Sequence, residues 1–172
     1  MTESENDGCV NHDQEAKETN GFPVTFKNIV EERLTFFRSV IHFMQTEKGY
    51  QADYPDWEQR LEEFKMPLNI FTTAQLLIDA VLDEPLSAKK ERDEAFGYIK
   101  ENILPFIEKM VDATNMAKQS YSEMVEICEK DEDAEGVENH KQNMAQSDAI
   151  IEQLNAGVSD FEKFETLICQ SN

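Results

Sequence analysis

Residues 87–131 read SAKKERDEAFGYIKENILPFIEKMVDATNMAKQSYSEMVEICEKD, and one long helix accounts for the whole stretch. Apolar or small residues recur in alternating steps of three and four: Phe96, Ile99, Ile103, Phe106, Met110, Ala113, Ala117, Ser120, Met124, Ile127. That rhythm, held over several repeats, is a heptad seam, the signature of a helix packed lengthwise against another. At 1.5 Å of rise per residue, about 45 residues span roughly 67 Å. Ser87 is the expected N-cap. Pro105 lacks the N–H that would reach the carbonyl of Glu101, and its ring crowds that carbonyl. Because the heptad passes through it unbroken, the spacing predicts a kinked but continuous helix, with a break at Leu104 as the alternative.

Toward the C-terminus a second helix is expected from about Val137 to Cys169. Val137, Met144, Ile151 and Val158 repeat at seven, with Leu154, Phe161 and Ile168 as the companion seam. The joining loop, Asp131 to Gly136, is short, so the two helices should run antiparallel. Folded about that loop, the halves remote from it are rich in large apolar residues. The halves beside it offer mainly Ala113, Ala117, Ser120 and Tyr121 against His140, Met144 and Ser147. This pattern predicts a four-helix core at one end and a thinner two-helix arm.

Toward the N-terminus, Asn69–Leu82 reads as a helix with Ile70, Ala74, Leu77, Ile78 and Val81 on one face. Pro67 should end a short helix begun near Pro55, whose Trp57, Leu61 and Phe64 cap the core from the side. GYQADYP reads as loop. Thr25 to Lys48 is the first helix, apolar round half its circumference and so expected at the centre of the core. Residues 1–22 hold six acids and one lysine with almost no large apolar side chain; they read as a disordered acidic tail, leaving 23–172 as a single helical domain. The fold class is all-α, an antiparallel helical bundle of about four main helices and one short one with a long C-terminal hairpin.

Composition narrows the function. Sixteen basic residues against 36 acidic ones give a formal charge of −20. A surface this negative repels phosphate backbones and anionic lipid, so nucleic acid is not an expected partner, whereas basic proteins are. No transmembrane segment is expected, because no apolar run approaches membrane-spanning length, and the acidic N-terminus reads as neither a signal nor a transit peptide. The expected location is the cytoplasm, with the nucleus as alternative. Cys9 lies in the tail; Cys128 and Cys169 fall at opposite ends of the expected hairpin, too far apart to pair, and both read as small apolar residues carrying free thiols.

No catalytic constellation assembles from these residues. His12, His42 and His140 are the three histidines, and none sits in the Glu-x-x-His spacing of a di-metal bundle or in zinc spacing. There is no glycine-rich phosphate loop. Asp131, Asp133, Glu135 and Gly136 follow the first half of an EF-hand calcium loop, but the twelfth position, which should be a bidentate glutamate, is Gln142. A helix-breaking acidic turn explains the same residues. No cofactor is implied.

The expectation is therefore a non-enzymatic intracellular interaction module, an adaptor or scaffold subunit. It would take a basic or helical protein partner on the arm, with Met116 and Tyr121 as the contact residues. A second copy of the chain is an alternative occupant of the arm. Two other classes compete: a bundle holding a small apolar ligand or lipid in its core, and an acidic inhibitor of a basic target, which salt-sensitive one-to-one binding would reveal.

Overall fold

The computed structural model describes residues 21–84 and 87–170. Among them every regular element is helical. The order is α1 (Val24–Thr46), α2 (Lys48–Asp53), α3 (Trp57–Leu77, running on into a π-helical turn Ile78–Leu82), α4 (Lys89–Tyr98), a second π-helical turn (Ile99–Ile103), α5 (Leu104–Lys130) and α6 (Ala134–Gln170).

α1 forms because Phe26, Ile29, Val30, Leu34 and Phe37 fall on one face, and all five are buried. Its opposite side is less covered than its composition suggests: Phe36 and Phe43 are 45% and 49% exposed. Thr25 lies inside the helix, which starts at Val24, and its hydroxyl donates to Asp160 on α6 at 2.8 Å. Gly157 on α6 leaves room for the end of the Ile29 side chain of α1, which a β-carbon there would overlap.

α3 corrects the sequence reading. Pro67 does not end a helix; it sits inside one. The stripe Leu61, Phe64, Leu68, Phe71, Ala74, Ile78, Leu82 runs through the proline without changing phase, and every member is buried or half-buried. Burying that stripe as one surface outweighs the lost hydrogen bond and the crowding of the proline ring, together about 3 kcal/mol in a helix interior. Part of the expected GYQADYP loop is helical too, as α2.

The core joins α1, α3, α4, α5 and α6. Phe26 stacks on Phe161 with ring centroids 5.0 Å apart, while Phe37, Phe71 and Phe106 meet edge to face or tilted. Phe22, assigned to the tail by composition, is buried against Phe26, Phe161 and Phe164, so the core reaches past Pro23. Its N–H donates to Asp83 at 2.8 Å, and the Lys27 ammonium donates to the other carboxylate oxygen at 2.5 Å. These two bonds, Lys27 first, hold the Asp83 carboxyl below the usual aspartate range. The rest of the tail, residues 1–20, lies outside the described residues.

Ser87 does not cap α4; its hydroxyl donates to the carbonyls of Val81 and Glu84, and Ala88 occupies the cap position. From Lys89 to Lys130 the helical path is unbroken through Pro105. Met44 and Leu61 near the α1–α3 connection, and Cys128 and Ser147 on the α5–α6 hairpin, are buried outside the main core.

Candidate interaction surface

The α5–α6 hairpin begins in the π-helical turn just before Pro105. There the Leu104 N–H reaches back five residues to the Ile99 carbonyl instead of four. The wider turn gives the proline ring room beside the carbonyl of residue 101, and it falls where Lys100 and Glu101 face solvent. Its consequence is a slip of register. One extra residue in a turn rotates everything beyond it by about 100° relative to a regular helix.

The slip is visible residue by residue. Phe96, Ile99 and Ile103 are buried, as the heptad requires. Beyond the π-turn the row facing α6 is Ile107, Val111, Thr114, Lys118, Tyr121, Val125 and Cys128, each buried or half-buried. This row is the expected seam displaced by one residue. The heptad row itself splits. Phe106 and Met110 pack on the core, whereas Ala113, Ala117 and Ser120 are exposed, and Met124 and Ile127 are 40% and 47% exposed. Met116, on the flank of that row, is 71% exposed.

Three ion pairs mark the antiparallel pairing: Lys100–Glu165 at 2.9 Å, Lys118–Asp148 at 2.5 Å and Lys141–Glu129 at 3.8 Å. The hydrogen bond to Glu165 raises the Lys100 pKa. Between the helices the Tyr121 and His140 rings stack with centroids 6.0 Å apart. Tyr121 thus belongs to the hairpin interior. It does not share a surface with Met116, five residues and more than a third of a turn away.

The tip is built by capping. The chain reverses through Asp131, Glu132 and Asp133, with Glu132 at φ 57°. One Asp133 carboxylate oxygen accepts the Gly136 N–H at 3.0 Å, the bond of an N-cap to the third helical residue. Gly136 lies inside α6 instead of stopping a helix. A β-carbon on it would collide with the Asp133 carboxylate and lie 2.8 Å from Cys128 Sγ. Asp131, Asp133 and Glu135 are all exposed, and no group of three or more His, Cys, Asp or Glu side chains converges to hold a metal ion among the described residues. Cys128 is buried and Cys169 is exposed, so the second is not the packed apolar residue the sequence suggests.

A second surface went unread in the sequence. At the α1–α3 connection Tyr50 lies between Phe43 and Tyr54, with centroids 5.4 and 4.8 Å away, and the Arg60 guanidinium sits 5.0 Å over the Tyr54 ring. Arg60 is engaged with Asp56 at 2.8 Å, which lowers the aspartate pKa and raises the arginine's. The signal in the sequence is Tyr50 and Tyr54 inside GYQADYP, which reads as loop, close after Phe43 in the first helix.

An open groove at the hairpin tip, beside Cys128 and Val137, has a volume of about 290 Å³. Among the described residues no helix is long and apolar enough to cross a membrane. Comparison with family models, characterised proteins and solved structures finds no match for this chain.

Proposed function

We propose that this protein is a non-enzymatic interaction module, an adaptor or scaffold subunit, that takes a protein partner on its α5–α6 arm. The observation that carries this reading is the apolar row on α5 left uncovered beyond Met110. An apolar row at helical spacing, beside side chains of high negative charge, suits a partner-binding surface. Met116 keeps the role expected of it. Met124 and Ile127 replace Tyr121, whose ring is engaged with His140.

Affinity capture from native lysate, wild type against Met116→Glu/Met124→Glu, tests the reading. The expected result is a stoichiometric protein partner lost in the variant while its helical content is unchanged. A wild-type chain that retains no protein, or retains only a small molecule, overturns it.

A further inference from the structure

We infer that the outward row of α5, Ala113, Met116, Ala117, Ser120, Met124 and Ile127, docks one basic amphipathic helix supplied by a partner protein. The inference rests on the arm being a partner-binding surface and names the partner's chemistry.

Continuity fixes the shape of the occupant. The same row begins at Phe106, where the rings of Phe37 from α1 and Phe71 from α3 cover it at 5.9 and 5.1 Å. Helices therefore already pack on this row, and past Met110 the cover ends. Positions 113, 117, 120, 124 and 127 continue the three–four spacing over two heptads, about 21 Å of helix. An incoming helix would extend the bundle along the row. The small residues Ala113, Ala117 and Ser120 permit close approach, and Met116, Met124 and Ile127 supply apolar anchors.

Charge fixes the sign. Asp112 and Glu123 stand in one line with Met116 and Ile127 at helical spacings of four and seven, and both are exposed. Exposed Asp131, Glu132, Glu135 and Glu138 crowd the tip. None of these six forms an ion pair among the described residues. On α5 itself Lys109 and Lys130 stand in the same line and balance Asp112 and Glu123; the negative sign comes from the tip end of the row, where residues 131–138 hold five acids and no base. Lys or Arg at the flanking positions of the incoming helix complements this edge. A second copy of the chain, itself at −20, would bring like charge to it, and so would the chain's own acidic residues 1–20.

The probe is a synthetic three-heptad peptide with leucine at a and d and lysine at e and g, where mutual repulsion keeps it from pairing with itself. Binding to the full chain is read by fluorescence anisotropy. Two peptides serve as controls: one of identical composition in scrambled order, and one with glutamate at e and g. The basic amphipathic peptide is expected to bind at least about tenfold tighter than either, a difference of about 1.4 kcal/mol. Met124→Glu/Ile127→Glu is expected to weaken it at least about tenfold. Both substitutions add negative charge, so an association driven by charge alone would strengthen. Unchanged or tighter binding by that variant overturns the inference, as does a scrambled peptide that binds equally well. Ala117→Glu, at an exposed helical position, serves as an independent variant with the same expected direction. Failure here alongside successful capture of a protein partner refutes the row and its basic helix while sparing the interaction-module reading. Failure of the capture itself refutes the broader reading.

Discussion

Replacing either of two isoleucines by alanine separates the register of the structure from the register of the heptad. The heptad places Ile127 in the seam and Ile107 beside it. The structure reverses them: Ile107 is 1% exposed and Ile127 is 47% exposed. Ile107→Ala removes three buried carbons, about 2.4 kcal/mol at about 0.8 kcal/mol each, and the cavity left behind raises the cost to about 3–4 kcal/mol. For a domain of this size the melting temperature should fall by about 10 °C. Ile127→Ala removes a half-exposed side chain and gains a better helix former, so its effect should stay within about 0.5 kcal/mol. Urea unfolding followed by circular dichroism at 222 nm, with the slope unchanged, gives both numbers. If Ile127→Ala costs as much as Ile107→Ala, the register slip is absent and the outward row is not free.

Three further outcomes follow from particular contacts. Asp83→Asn weakens the bonds to Lys27 and the Phe22 N–H, with an expected cost of about 1–2 kcal/mol after discounting for partial exposure. Because the folded state lowers the Asp83 pKa, this stabilisation is present above the ordinary aspartate value and lost as pH falls through the folded one; the gap between wild type and variant in a thermal melt should close in acid. Pro67→Ala restores an N–H inside α3 and should stabilise the chain by about 1–3 kcal/mol in urea titration; a loss would mean the proline ring packs a contact that alanine cannot replace. Gly136→Ala should speed amide exchange at the start of α6, since its β-carbon displaces the Asp133 cap at a cost of about 1 kcal/mol or more; protection equal to wild type would contradict the capping geometry.

The all-helical class was legible because the apolar spacings never settle into period two. The long helical path was legible because the heptad crosses Pro105. The slip was not, because the amino acids at 106, 110, 113, 117, 120, 124 and 127 keep the repeat that the backbone abandons at Ile99–Ile103. A periodicity scan assumes a constant number of residues per turn, and a π-turn violates it locally. The competing row, Ile107, Val111, Thr114, Lys118, Tyr121, Val125 and Cys128, is mixed in character and gave a weaker signal, although it carries the ion pair and the ring stack that join the hairpin. At Pro67 the error ran the other way. Pro67 reads locally as a helix end, yet the continuous stripe from Leu61 to Leu82, present in the sequence throughout, carries the helix through it. The tail boundary failed at a single residue, since Phe22 is an isolated aromatic in polar company and only the facing Phe161 and Phe164 explain its burial.

The most direct test of the account is a photo-crosslinking scan round one face of α5 in the full chain, in native lysate. A photoreactive residue is placed in turn at Ala117, Met124 and Ile127 on the outward row, and at Asn115 and Glu126 on the far side, all exposed. The account predicts one protein crosslinked from the three outward positions and not from the other two, through a segment that is basic and amphipathic. Crosslinks spread equally over both sets, or confined to Asn115 and Glu126, would contradict it.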